Sequence, residues 1–196
     1  MRTFFTTAAL ATVLLASCNT TEPESTATAN DTTETTAIET EEQTMPTFIA
    51  QQGTITSLNQ TDDGLFVEAT LNDEPLTFLL FDDTPIVNNK GEDVTLQEGM
   101  NVQGYVYANS PMVMIYPPRY TPAIVVVETG DVGMYSVASF NDERVNDTNM
   151  LQVTTDEPMP AGNYAVFYTT STRSIPAQAT PHRIIALLNR FAEATE

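Results

Sequence analysis

The chain has 196 residues, of which 26 are acidic and 7 are basic, so its formal net charge at pH 7 is -19. A surface this acidic repels phosphate backbones and favours solubility, cations or a basic partner, which argues against nucleic-acid binding. The length allows one or two domains, and a hydrophobic content of 41% is enough to form a core.

The N-terminal residues 1–17 have the composition of an export signal. Arg2 precedes an apolar run at residues 4–16, which is too short to span a membrane as a stable helix. The run ends in Leu15-Ala16-Ser17-Cys18, which resembles the lipobox of bacterial lipoproteins. The resemblance implies cleavage before Cys18, acylation of its sulfur and stable membrane anchoring by two or three acyl chains. The alternative is a plain secretory signal followed by an incidental cysteine.

Residues 18–45 predict a disordered acidic linker that is rich in threonine and glutamate. Large apolar side chains are nearly absent, so the segment cannot bury enough surface to offset the entropy of ordering it. Its like charges are expected to extend it as a stalk between the membrane and the folded part of the chain.

From residue 46 onward, short apolar runs alternate with turn residues, which predicts an all-β fold. Strands are expected at residues 48–58, 65–71 and 76–81, and Asp63-Gly64 is a strong hairpin signal between the first two. Residues 186–196 at the C-terminus are compatible with a helix, but no segment before them has a helical period. Strands of this length and spacing are typical of a small OB-like barrel or a sandwich.

An internal repeat is found when residues 76–127 are aligned with residues 135–186 at a gapless offset of 59. The alignment contains 10 identities in 52 positions, whereas chance gives about three or four. The repeat predicts a duplicated β unit, with a first unit at residues 46–128 and a second at 129–196. The second unit is shorter because it has no equivalent of the hairpin at residues 48–71, and it is expected to pack on the first.

Several short motifs are similar to those of small β domains in exported Firmicutes proteins of unknown activity. They are Gly53-Thr54-Ile55, Asp83-Thr84, Gly91, Glu98-Gly99-Met100-Asn101-Val102, Tyr116-Pro117-Pro118 and Thr172-Arg173-Ser174-Ile175-Pro176. The resemblance covers most of residues 50–188 and implies a small β domain without implying an activity.

Residues suited to catalysis are scarce, and the protein is not expected to be an enzyme. The only histidine, His182, follows Pro181, and the chain contains no Gly-x-Ser-x-Gly elbow for a Ser-His-Asp mechanism. The only cysteine, Cys18, is consumed if it is lipidated, and a zinc site needs several His or Cys ligands. An envelope hydrolase is the least favoured function.

Hard-cation binding is an alternative, because one short stretch carries many oxygen atoms. Its weak candidate ligands are Asp82, Asp83, Asn88, Glu92 and Asp93. Calcium prefers six to eight oxygen ligands at a defined spacing, but this stretch lacks the EF-hand pattern. Residues 88–91 are equally typical of a structural hairpin turn, so no metal ligand is assigned firmly and calcium remains possible.

Two proline-containing crossings, at residues 105–127 and 164–186, are the best candidates for contact with a partner. Met112, Met114 and Tyr116 lie in the first, and methionine and aromatic side chains form adaptable contact surfaces. Arg119 and Arg173 lie near the two crossings, where they could capture an anion or balance local acids. The alternative is that the crossings are closing loops that pack against their own barrel.

These patterns predict a lipid-anchored lipoprotein on the extracytoplasmic face of the cell membrane. It would be a non-catalytic binding or accessory module of the cell envelope, and the alternative is a protein that binds or senses calcium. The expected partners are the membrane, through the lipid on Cys18, and an unidentified envelope protein or ligand. No cofactor is expected other than the covalent lipid.

Overall fold

A computed structural model describes residues 45–190, which form an all-β fold, as the sequence predicts. The described residues contain no helix, and hence none long and apolar enough to cross a membrane. The predicted signal peptide and most of the predicted linker, including Cys18, lie outside the described residues, as do residues 191–196. Residues 187–190 follow the last strand without forming a helix, so the expected C-terminal helix is not found in the part that is described.

The described strands belong to two sheets. The first sheet contains β1 (Phe48–Thr61), β2 (Gly64–Leu71), β3 (Glu74–Leu80), β4 (Ile86–Asn88), β5 (Asn101–Tyr107), β6 (Arg119–Tyr120) and β7 (Ile124–Val127). The second contains β8 (Met134–Phe140), β9 (Leu151–Val153), β10 (Gly162–Ser171) and β11 (Ala177–Ala186). The strand order is β4-β7-β5-β1-β2-β3-β6 in the first sheet and β8-β10-β11-β9 in the second.

The long strand β1 allows the first sheet to curl into a half-barrel. Its first half pairs with β5, and its second half pairs with β2. The register shifts between Ile55 and Ser57, and such a bulge bends a strand and increases its twist. Side chains from five strands of the sheet therefore meet in one apolar core, in which Phe78 is fully buried.

The second sheet resembles the first without the β1–β2 hairpin and without a counterpart of the edge strand β6. In the first sheet, β4 runs parallel to β7, which is antiparallel to β5, and β3 follows beyond the hairpin. In the second, β9 runs parallel to β11, which is antiparallel to β10, and β8 follows directly. The peptide bonds before the aligned prolines Pro117 and Pro176 are both cis.

The offset between the two copies changes along the chain, unlike the gapless offset used in the sequence alignment. Strands β3 and β8 have the same burial pattern when Leu80 is matched to Phe140, one residue away from the sequence alignment. The offset then changes in the opposite direction. At the turn after β4, Asn88 corresponds to Asn146, which is one residue short of the gapless alignment. Each of these two buried amides accepts hydrogen bonds from two backbone N–H groups.

The two sheets share an apolar cluster that lies between them. Its buried members come from both sheets and the segment after β11: Phe48, Val87, Tyr107, Ile124, Val126, Val137, Ala165, Phe167 and Leu187. A separate cluster fills each sheet on its own. Burial of this shared surface holds the second sheet against the first.

Candidate functional site

Five consecutive apolar residues, 112–116, lie exposed between β5 and β6, and we call them the apolar loop. Their exposed fractions are 61% for Met112, 64% for Val113, 101% for Met114, 42% for Ile115 and 80% for Tyr116. Contiguous exposed apolar surface on a soluble domain is a mark of an interaction site. Four of the five side chains are more than half exposed and Ile115 is more than half covered, so most of the loop does not pack against its own barrel, which was the alternative interpretation of this crossing.

Backbone hydrogen bonds hold the apolar loop at both of its ends. At the start, the Ala108 N–H donates to the Thr47 carbonyl at 2.9 Å, and the Ser110 N–H donates to the Tyr107 carbonyl at 3.0 Å. At the far end, the Thr77 N–H donates to the Pro118 carbonyl at 3.0 Å. The backbone path is therefore fixed by the barrel, while the side chains of the loop point away from it.

Arg119 follows the apolar loop on β6, and its side chain covers an aromatic ring. The guanidinium carbon lies 5.0 Å from the centroid of the Phe66 ring, which is within the range of a cation–π contact. Among the described residues, Arg119 makes no ion pair. The Arg119 side chain is exposed to solvent and follows the apolar side chains in the sequence.

Arg173 lies in the exposed tip of the β10–β11 hairpin and is not brought together with the apolar loop. The end of β11 meets the end of β5, where the Tyr107 hydroxyl donates to the Leu187 carbonyl at 3.3 Å. The hairpin tip lies at the other end of β11, and a strand of 10 residues spans about 33 Å. The start of the loop segment at Tyr107 and the hairpin tip at Arg173 therefore lie near opposite ends of β11.

Four of the five candidate cation ligands at residues 82–93 are engaged in other contacts. Asn88 Oδ1 accepts the N–H groups of Lys90 and Glu92, and its Nδ2 donates to the Glu92 carboxylate at 2.8 Å. The Asp93 carboxylate accepts a hydrogen bond from an arginine at 2.8 Å, and Asp83 is paired with another. The described residues contain no group of three or more acidic, His or Cys side chains arranged to hold a metal ion.

The turn after β4 instead contacts the second sheet through basic residues of β11. His182 Nε2 lies 2.8 Å from the Lys90 carbonyl oxygen, and because a carbonyl only accepts, Nε2 must carry the hydrogen. Arg183 donates to the Gly91 carbonyl and to the Asp93 carboxylate. This contact was not predicted from the sequence. Its only signal was that His182 and Arg183 are adjacent basic residues in an acid-rich chain.

His182 also borders a surface depression with a volume of about 410 Å³. Asp156, Glu157 and Thr180 line the same depression. A hydrolase would need an acid or an imidazole in such a place that is oriented by a hydrogen-bonded partner. Among the described contacts, His182 Nε2 donates to a backbone carbonyl, and no acid of the depression hydrogen-bonds to the ring.

A half-buried tyrosine pair lies where the two sheets meet. Tyr135 lies edge-on to Tyr105, with ring centroids 6.2 Å apart, and its hydroxyl lies 2.8 Å from Gln103 Oε1 and 3.0 Å from Glu128 Oε1. Burial raises the pKa of both tyrosines above the ordinary value, and the Glu128 charge raises it further. Both phenols are therefore neutral at physiological pH, and their role is to join the sheets.

Comparisons of the chain with protein-family models, curated proteins and solved structures give no match. The apolar loop and its surroundings are therefore interpreted from geometry and sequence alone.

Proposed function

We propose that this protein is a lipid-anchored extracytoplasmic lipoprotein and a non-catalytic binding or accessory module of the cell envelope. The observation that carries the proposal is the apolar loop, where five consecutive side chains face solvent. Exposing them to water costs free energy that contact with a partner would recover. The export signal and the Leu-Ala-Ser-Cys motif at residues 15–18 support the location.

The lipid anchor is tested by Cys18→Ala. The variant is expected to remain unprocessed or to be released from the membrane fraction, and it should not incorporate labelled fatty acid. Thr20→Ala, two residues further along, is the matched control and should behave like the wild type. If Cys18→Ala remains processed and membrane-bound, the anchor is refuted.

The binding role is tested by the accessibility of the apolar loop in intact cells. Met114→Cys should react slowly with a membrane-impermeant maleimide, because a partner covers the loop. Val132→Cys, at an apolar position that is 85% exposed and outside the loop, should react quickly. Both variants should react equally after purification in detergent, and equal reaction in cells would contradict the proposal.

Two alternatives remain open to experiment. A hydrolase would use the depression at His182, so turnover of an envelope polymer that disappears in His182→Ala would favour it. A cation-binding protein would use the acids at residues 82–93, of which Asp82 and Asp83 line one depression with Asp62 and Asp63. Calorimetric heat on adding calcium that is lost in Asp82→Asn would favour that function, and a featureless titration would remove it.

A further inference from the structure

We propose that the lipid bilayer itself covers the apolar loop, so that the loop is a second membrane attachment beside the acyl anchor. The inference rests on the proposed function, because it takes the chain to be anchored through Cys18. It identifies the partner of the loop as a hydrocarbon surface and not as another protein.

The first argument is the position at which the chain enters the fold. Thr47 accepts a hydrogen bond from Ala108, and the apolar loop begins four residues after Ala108. The chain that leads back to Cys18 therefore leaves the domain at the base of the loop. Even fully extended, residues 18–44 can reach only about 90 Å. An anchor at Cys18 therefore sets an upper limit on the distance of this end of the domain from the bilayer, and the loop reaches the surface whenever the linker is less than fully extended.

The second argument is the distribution of charge. No aspartate or glutamate occurs between Glu98 and Glu128, although the chain has 26 acidic residues, and Arg119 is the only charged residue in that interval. At the entry point, Asp147 is engaged, since the Thr47 hydroxyl and backbone N–H both donate to it. The acid-free interval removes local repulsion from anionic headgroups at the place where contact would occur.

The third argument is the chemistry of the loop and its flanks. Proline residues at 111, 117 and 118 have no N–H group, so the segment has fewer donors to bury in a medium without water. The Ile115 N–H is already satisfied by the Val113 carbonyl at 2.9 Å. Tyr116 and Arg119 have an apolar body with a polar end, which suits the headgroup region.

Other exposed apolar side chains lie at the same end of the domain. Met45 shares a depression with Tyr107, Ala108 and Asn189, and the residue before Asn189 is the exposed Leu188. These side chains enlarge the surface that a bilayer would cover. Because the acyl anchor holds the domain near the membrane, even a weak intrinsic affinity of the loop is sufficient for contact.

The test uses the full lipidated chain in phosphatidylcholine vesicles that contain quencher-labelled lipid. Lipidation consumes Cys18, the only native cysteine, so Met114→Cys gives one thiol for a fluorescent probe. The probe at position 114 should be quenched at least threefold more than a probe at Val132→Cys, and adding Met112→Ser and Ile115→Ser should abolish the difference. Equal quenching at the two positions overturns the proposal.

Two further outcomes are decisive. If position 114 is protected in envelope membranes but unquenched in pure lipid vesicles, its partner is a protein and the bilayer proposal is wrong. If the wild-type chain itself reacts with the thiol probe, Cys18 is free and the anchor of the proposed function has failed. In that case the loop is tested in a Cys18→Ala background at high lipid concentration. Quenching of a probe at Met114→Cys there supports contact between the loop and the bilayer, and an absence of quenching overturns it.

Discussion

Gly91 lies directly against the ring of Phe167, and this contact joins the first sheet to the second. A Cβ atom at position 91 would lie 2.7 Å from Phe167 Cγ, and the glycine has a φ of +80°. Gly91→Ala therefore combines a backbone penalty of about 1–2 kcal/mol with overpacking of about 1–3 kcal/mol. The free energy of unfolding from urea titration should fall by the sum of the two.

Gly99→Ala is the matched control for this prediction. Gly99 has a φ of +84°, and a Cβ atom there would meet nothing within 4 Å. It should lose the backbone contribution alone, so the difference between the two variants measures the contact with Phe167. Equal losses would mean that the sheets tolerate a separation at this point.

The buried asparagine of each repeat copy should be important for stability. Asn146 Oδ1 accepts the N–H groups of Asn149 and Leu151 at 3.2 and 2.8 Å, and Asn88 does the same in the first copy. Substitution by alanine leaves these donors without partners, which costs about 1–3 kcal/mol. Thermal unfolding of Asn146→Ala and Asn88→Ala should show the loss, whereas the exposed Asn59→Ala should change little.

Alkaline pH should destabilise the fold through its buried tyrosines. Burial raises the pKa of Tyr105, Tyr107, Tyr135 and Tyr168 above 10 in the folded state. The contribution of these tyrosines to the free energy of unfolding is therefore fully present below pH 10, the ordinary tyrosine pKa. It falls as the pH rises towards the folded pKa, because the unfolded chain releases these protons first.

The slope of this loss is the quantity to measure. Urea titrations between pH 9 and about pH 11.5 should give a declining free energy of unfolding, with a smaller decline in Tyr135→Phe. Tyr116→Phe, at an exposed position of the apolar loop, is the control and should keep the wild-type decline. A decline that is unchanged in Tyr135→Phe would remove the Tyr105–Tyr135 pair as its cause.

Polar substitution in the apolar loop should leave the fold intact. Met114 is fully exposed, so Met114→Ser should change the free energy of unfolding by less than about 0.5 kcal/mol. Phe78→Ala, in the first core, should cost about 3–5 kcal/mol in the same assay. A large loss in Met114→Ser would mean that the loop serves stability and not contact.

Much of the fold could be predicted from the sequence, because apolar alternation and turn residues are local signals. The hairpin at Asp63-Gly64 and the absence of its equivalent in the second copy were predicted from such signals, and both are found. The gapless alignment was wrong at β3 and β8, where single-residue length changes in the turns shift the register. In strands a shift of one residue exchanges the two faces, so only burial reveals it.

The candidate site was predictable in part. Met112, Met114 and Tyr116 were identified by residue type, whereas Val113 and Ile115 were missed because such side chains are usually buried. The contacts of residues 82–93 could not be predicted, since Asp83 and Asp93 meet Arg190 and Arg183 from about a hundred positions away in the chain. Nothing in local spacing identifies such partners.

The attachment of β1 has a mechanical consequence for the proposed N-terminal anchor. Thr47 leads into β1, which is flanked by β5 and β2 in the interior of the first sheet. A tensile force on the N-terminal tether acts along β1 and must shear several backbone hydrogen bonds together, since an interior strand cannot be unzipped from an edge. Through the bonds from Thr47 to Asp147, the same load reaches the second sheet, so both sheets resist extraction as one body.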